Sequence, residues 1–124
     1  MFKKKKKIPI KNNSTTTLQL LRMAKGIQNF RGVFVKNKLP KRPLWNECAI
    51  VNLDNEDGAG THWVAYKKFG NNVIYFDSFG NLKPPEELVR YWGEDKIIKY
   101  NRDSFQTFDE TNCGQWAIKF LKSV

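Results

Sequence analysis

The stretch "THWVAYKKFGNNVIYFDSFG", residues 61–80, reads as two β-strands joined by a turn at Phe69 to Asn72. Paired about the centre of that turn, between Phe69 and Gly70, the strands place Val64 opposite Tyr75 and His62 opposite Asp77. Directly opposed side chains project on one face of a sheet with Cβ atoms about 4.5–5.5 Å apart. The only histidine of the chain is therefore expected beside a carboxylate, which sets an imidazole's tautomer and stabilises its cation. A slip of one residue would break the pairing. On its own, a histidine beside an aspartate on a hairpin is more often structural than catalytic.

Outward from this hairpin the chain alternates between strand and helix signals. Upstream, "TTTLQLLRMAKG" carries Leu18, Leu21 and Ala24 at helical spacing, with Gly26 as the C-cap residue. "NFRGVFV" reads as a strand, "KNKLPKRPLWN" as a proline-bearing basic loop, "CAIVNL" as a short buried strand and "DNEDGAG" as a loop. Downstream, "NLKPPEELVRYW" turns into a helix with prolines at its start and Glu86 and Glu87 in the first turn, where the helix dipole favours acids. "KIIKYN" is a further strand, and the chain closes on a loop and a helix from Cys113. The fold class is α+β: a small central mixed β-sheet with an N-terminal helix and a C-terminal helix that carries Cys113.

The 124 residues suit one domain, read as 14–124, preceded by a basic disordered arm over 1–13. Of the net charge of +10, Lys3, Lys4, Lys5, Lys6, Lys7 and Lys11 supply six charges before Ser14. Such an arm suits non-specific DNA, a nuclear address, or simply a solvated tail. No apolar run approaches a membrane span, and no signal peptide follows Met1, so the sequence reads as soluble and intracellular. Its two cysteines, Cys48 and Cys113, are then expected as reduced thiols. With one histidine and no Cys-x-x-Cys, no metal site is expected.

The closing helix is where chemistry is expected. Asn112 fits an N-cap and Gln115 the reciprocal position of a capping box, which makes Cys113 the first helical residue. Ala117, Phe120, Leu121 and Val124 continue its apolar face, while Lys119 and Lys122 point away. Cys113 thus faces the protein body from the positive end of a helix, a position that favours a thiolate when a cation stands beside it. Cys48, within "ECAIVNL", has apolar neighbours and reads as inert. Gln106, seven positions before Cys113, lies in the loop leading to the helix, where its amide could join the Cys113 N–H in holding an oxyanion. Taken singly, an inert core cysteine is the commoner case, and a solvent-facing loop glutamine would be unremarkable.

Taken together, the order His62, Asp77, Gln106, Cys113, with "HW" at the histidine and "CG" at the cysteine, resembles the adenovirus-type and SUMO-protease-type cysteine peptidases. "ECAIVNLDNEDGAGTHWVAYKKFGNNVIYFDSFG" and "NFRGVFVKNKLP" are most similar to adenain-like proteases of viruses and Polinton-type elements, over roughly Gln28 to Leu121. The resemblance implies a thiol endopeptidase of that fold. Cys113 would be the nucleophile, His62 the base, Asp77 its orienting acid and Gln106 an oxyanion-hole donor, with Trp63 walling the substrate cleft. It also implies polypeptide substrates with glycines near the scissile bond, viral or transposon-encoded precursors as targets, and a nuclear or virion-associated setting. No cofactor is implied for the chemistry, with DNA or a peptide as activators. Two departures stand out: adenain has Glu where Asp77 lies, and the family's enzymes continue with further helices, whereas this chain reads as cut short eleven residues after Cys113. The competing expectations are a deSUMOylase-like or deubiquitinase-like isopeptidase, and a silent virus-derived domain that binds nucleic acid or serves structure.

Overall fold

The computed structural model describes residues 16–54, 62–106 and 112–123. The basic arm, the "DNEDGAG" loop from its second residue to Thr61, and the link from 107 to 111 lie outside the described residues. The elements follow in the order α1 (Thr17–Met23), β1 (Phe30–Val35), β2 (Asn46–Asn52), β3 (Trp63–Phe69), β4 (Asn72–Phe76), α2 (Glu86–Trp92), β5 (Ile97–Tyr100) and α3 (Cys113–Lys122). The architecture is α+β, with a mixed five-stranded sheet in the spatial order β1-β2-β3-β4-β5. β1 runs parallel to β2 and β4 to β5, while β2–β3 and β3–β4 are antiparallel. No helix among the described residues is long and apolar enough to cross a membrane.

Alternation along the strands divides the core into two layers, because successive side chains leave a strand on opposite faces. Cys48, Ile50, Trp63 and Ala65 point to one side, where Leu20 and Ala24 of the α1 segment and Cys113, Ala117, Ile118 and Leu121 of α3 cover them. Ala49, Val51, Val64, Tyr66, Val73 and Tyr75 point to the other, against Leu88 and Trp92 of α2. Burial of these side chains is the main force holding the helices to the sheet, at roughly 1.5–3 kcal/mol for each large apolar group.

α1 starts as its sequence dictates. Thr16 accepts from Gln19 N at 3.1 Å and Gln19 Oε1 accepts from Thr16 N at 2.8 Å, a complete capping box. Its buried stripe is out of phase with the expected one, since Leu20 and Ala24 are covered while Leu18 and Leu21 remain 58% and 44% exposed. Both stripes have helical spacing, and only the position of α3 decides between them. The C-cap is Ala24, two residues before the expected Gly26, which has φ +89.

The hairpin register also differs from the expected one. Tyr66 pairs with Tyr75, Ala65 with Phe76 and Phe69 with Asn72, so the turn is centred between Gly70 and Asn71. The cause is the glycine: Gly70 has φ +60, and a two-residue hairpin turn requires a positive φ of this kind. The pairing therefore slides by two residues, an even number, and each side chain keeps its face. Continued by one step, this register sets Asp77 opposite Val64, so His62 and Asp77 are diagonal neighbours.

Between β1 and β2 the chain crosses over through residues 36–45 and is anchored by one buried carboxylate. Glu47 Oε1 accepts from Leu44 N at 2.7 Å and Arg31 Nη1 at 3.1 Å, and Oε2 accepts from the hydroxyls of Tyr66 at 2.5 Å and Tyr91 at 2.8 Å. Lys68 Nζ adds bonds to the carbonyls of Leu44 and Trp45. One side chain thus links β1, β2, β3, α2 and the crossover.

Candidate active site

His62 and Asp77 lie where β3 begins and β4 has just ended, which in an antiparallel pair is the same end of the sheet. Despite the diagonal register, His62 Nε2 and Asp77 Oδ1 are 3.0 Å apart. The carboxylate is almost fully buried and is fixed from several sides. Phe79 N donates to Oδ1 at 3.0 Å, Asp77 N donates to Asn101 Oδ1 at 2.9 Å, and Asn101 Nδ2 donates to Asp77 O at 2.7 Å. The imidazole stacks on Phe79 with ring centroids 4.4 Å apart and planes inclined by 4°. Gly80 completes this turn with φ +85, and a Cβ there would meet Asp103 O at 2.6 Å, so no other residue fits.

Cys113 is the first residue of α3, 2% exposed, with its Sγ accepting from the backbone N of Trp63 at 3.2 Å. That bond ties the head of α3 to the residue next to His62. The thiol is close enough to act on the ring, while the buried Nδ1 makes no geometrically complete hydrogen bond among the described residues. Such bonds are commonly loose before substrate binds. Burial alone would lower the imidazole's pKa. The hydrogen bond to Asp77, then the thiol of Cys113, outweigh it and hold the group up at about 9.

The sign of the resulting pH dependence follows from the direction of that shift. A histidine with a raised folded pKa contributes stability that is fully present below its unfolded value, about 6.5, and is lost as pH rises towards 9. Thermal melts of the wild-type chain are therefore expected to lose stability between about pH 6.5 and 9, by up to ~3 kcal/mol. His62→Ala should flatten that segment of the profile, and a profile unchanged by the substitution would contradict the pairing.

Gln106 is buried and held at three points. Its N–H donates to Ser78 O at 3.2 Å, its carbonyl accepts from Ser104 Oγ at 2.8 Å, and its side-chain Oε1 accepts from the Ser78 hydroxyl. Its neighbour Phe105 packs on Phe76 and on Trp116 of α3, both with centroids 5.4 Å apart, which brings this loop against the helix that Cys113 begins. Trp63 is 6% exposed and sits in the layer between sheet and α1/α3, and its peptide N–H donates to Cys113 Sγ. The strand-ending stretch "FDSFG" was a visible motif, yet the contacts of Ser78 and Phe79 were not foreseen. Asn101 left no signal at all, because Asp77, the site residue it holds, lies 24 positions away in sequence.

Two local expectations at α3 are corrected. Asn112 occupies the N-cap position but makes no side-chain cap, and the capping box with Gln115 does not form. Its backbone, at φ −100 and ψ 25, is not extended, whereas side-chain capping needs the extended geometry that Thr16 has at ψ 162. The carbonyl of Asn112 instead accepts from the backbones of Gln115 and Trp116.

Cys48 differs sharply from Cys113. Burial, with a smaller contribution from Glu47, pushes its thiol up to about 11 despite the opposing Lys67, and it donates to Gln28 O at 3.5 Å. A cavity of about 610 Å³ lies beside it, lined by Lys25, Lys67, Phe69, Ile74 and Leu121 among others. None of His62, Asp77, Gln106 or Cys113 borders that cavity.

No family model matches the chain. Among curated proteins it is 28% identical over 86 residues to a putative thiol protease of Acanthamoeba polyphaga mimivirus, covering 60% of this chain and 28% of that protein. It is equally 28% identical over 105 residues to a SUMO-1 cysteine protease of African swine fever virus, covering 73% of this chain and 38% of the relative. A cysteine protease from another isolate of that virus matches at 28% over 116 residues, 82% of this chain and 42% of the relative. The chain's distant homologues are viral cysteine proteases. It spans less than half the length of the relatives it matches.

Proposed function

We propose that the chain is a thiol endopeptidase of the adenain-like and SUMO-protease-like type. The observation that carries this reading is the buried His62–Asp77 pair with the Cys113 thiol acting on the same ring, in a chain whose distant homologues are viral cysteine proteases. Cys113 serves as a thiolate beside the His62 imidazolium, with Asp77 orienting the ring. The thiolate attacks the scissile carbonyl, and the oxyanion that forms is held by the Cys113 N–H and the Gln106 amide. His62 gives its proton to the departing amine, then takes one from the water that hydrolyses the thioester and restores the thiolate. No metal or cofactor enters these steps.

Substrates on this reading are viral or transposon-encoded precursors with glycines beside the scissile bond, and Trp63 walls the cleft. The alternative within the same chemistry is hydrolysis behind the tail of a ubiquitin-like modifier, favoured by the relatives named SUMO-1 cysteine proteases. The lysine arm, Lys3 to Lys7, is proposed to recruit DNA as an activator. The chain is assayed with a glycine-containing viral-type peptide and with a SUMO–fluorophore conjugate, each with and without DNA and with Cys113→Ser as the blank. Peptide cleavage that depends on Cys113 and rises with DNA is the expected result. Preference for the conjugate moves the assignment to the isopeptidase, and equal turnover by the blank removes the thiol mechanism. If deletion of residues 1–13 leaves the DNA response intact, the arm is not the DNA contact.

A further inference from the structure

We infer that Ser78 is a positioning residue that aims the Gln106 amide, and that the turn Asp77–Gly80 couples the acid of the site to its oxyanion donor. This rests on the assignment of Gln106 to the oxyanion hole. An amide side chain serves there only if its NH2 end, and not its carbonyl end, faces the developing charge. The two ends have nearly the same shape, so packing alone discriminates poorly between them. A hydroxyl held against one end does discriminate. Ser78 is fully buried, and its Oγ donates to Gln106 Oε1. That bond commits the carbonyl end to Ser78 and turns the NH2 to the other side.

The surroundings make Ser78 a fixed reference point for the amide. Its own carbonyl accepts from Phe105 N at 2.7 Å and from Gln106 N at 3.2 Å, so backbone and side chain of one serine bind backbone and side chain of Gln106. Residues on either side of it define the histidine: Asp77 bonds His62 Nε2 at 3.0 Å and Phe79 stacks on its ring at 4.4 Å. Asn101, the residue after β5, repeats the link, bonding the Asp77 backbone through both ends of its amide and Asp103 O at 3.0 Å. Gly80 lets the turn approach the same loop, where its α-carbon leaves no room for a side chain beside Asp103 O. Four consecutive residues thus place the imidazole on one side and the glutamine amide on the other.

The inference separates Ser78 from the His62–Cys113 pair, and that separation is measurable. Alkylation of a thiolate forms no oxyanion, so it reports the pair without the hole, whereas peptide turnover needs both. Ser78→Ala is expected to lower kcat by about 10- to 100-fold, short of the roughly 10²–10³-fold lost with an oxyanion donor. KM and the rate of Cys113 alkylation should stay at wild-type values. In a Gln106→Ala background Ser78→Ala should cost nothing further, because its target is gone. Gln106→Glu, which keeps an acceptor for the Ser78 hydroxyl but loses the NH2, should be as slow as Gln106→Ala. An unchanged kcat in Ser78→Ala, an equal loss in the Gln106→Ala background, or a parallel fall in alkylation would each overturn the inference.

A readout independent of turnover is the pair of Gln106 side-chain NH2 resonances, assigned by their loss in Gln106→Ala. They should move in Ser78→Ala, and unmoved resonances would overturn the inference. If the wild-type chain cleaves nothing and its alkylation ignores His62, the protease reading fails, while these resonances still decide whether Ser78 sets the amide.

Discussion

His62→Ala is expected to slow alkylation of Cys113 by a thiol-directed electrophile by roughly 10²–10⁴-fold at neutral pH, the range a positioned acid–base partner commands. The imidazole is held at about 9 by Asp77 and Cys113, so in the wild type a cation stands beside the thiol throughout the neutral range. Removing it leaves the Trp63 N–H and the positive end of α3 to stabilise the thiolate, the helix end contributing about 0.3–1 kcal/mol. Peptide turnover should fall further, on the order of 10⁴-fold, because the proton donor for the leaving amine is lost as well. Cys48 supplies the internal control. Its thiol, pushed up to about 11 by burial, should label slowly in both proteins, with peptide mass spectrometry resolving the two sites. Equal labelling of Cys48 and Cys113, indifferent to His62, would end the catalytic reading. Asp77→Asn tests the next contact outward. An amide opposite Nε2 presents a donor where a carboxylate presented an acceptor, so turnover should drop about 10⁴-fold through the wrong tautomer.

The second large effect is on stability. Glu47→Ala should cost about 3–5 kcal/mol, the range for removing one member of a buried ionic cluster. The carboxylate side chain has no exposed surface, and its loss strands Leu44 N and the Tyr66 hydroxyl. Arg31 Nη1 and the Tyr91 hydroxyl each lose one partner but keep each other and Arg42 O. Burial, the largest cause of the raised Tyr66 pKa, persists without the carboxylate, so ionisation offers the stranded group no relief. Chemical denaturation read at the tryptophans measures the loss. A cost below about 1 kcal/mol would mean that water or a neighbour replaces the carboxylate. Glu47→Gln, which keeps the shape and one acceptor, should lose less than Glu47→Ala. The crossover from β1 to β2 contains no helix, so this anchor fixes the position of residues 36–45 more than any local propensity does.

Element identity was legible because it rests on short-range chemistry. The β-branched and aromatic runs, the prolines before Glu86 and the capping pair Thr16 and Gln19 each act within a few residues. The pairing of His62 with Asp77 was expected from the hairpin, and a shared site with Cys113 was implied by the family resemblance. What failed was phase and register. Leu18, Leu21 and Ala24 have the same helical spacing as Leu20 and Ala24, and nothing local says which stripe α3 will cover. The hairpin centre hinged on whether Phe69 or Gly70 begins the tight turn, and the positive φ of Gly70 settled it. Because the error was two residues, His62 and Asp77 still meet; an error of one would have parted them.

By itself, then, the sequence determined an α+β order of elements, a hairpin with a histidine and an acid near its open end, and a cysteine at the head of the last helix. Periodicity, turn chemistry and the helix dipole are properties of neighbouring residues, and they need no knowledge of the rest of the chain. The tertiary structure alone decided the diagonal His62–Asp77 contact, the uncapped start of α3, and the clasp of Ser78 and Asn101 on the loop that carries Gln106. The first and the last depend on groups brought together from fifteen or more positions apart, where hydrogen-bond geometry and packing are set by the whole fold.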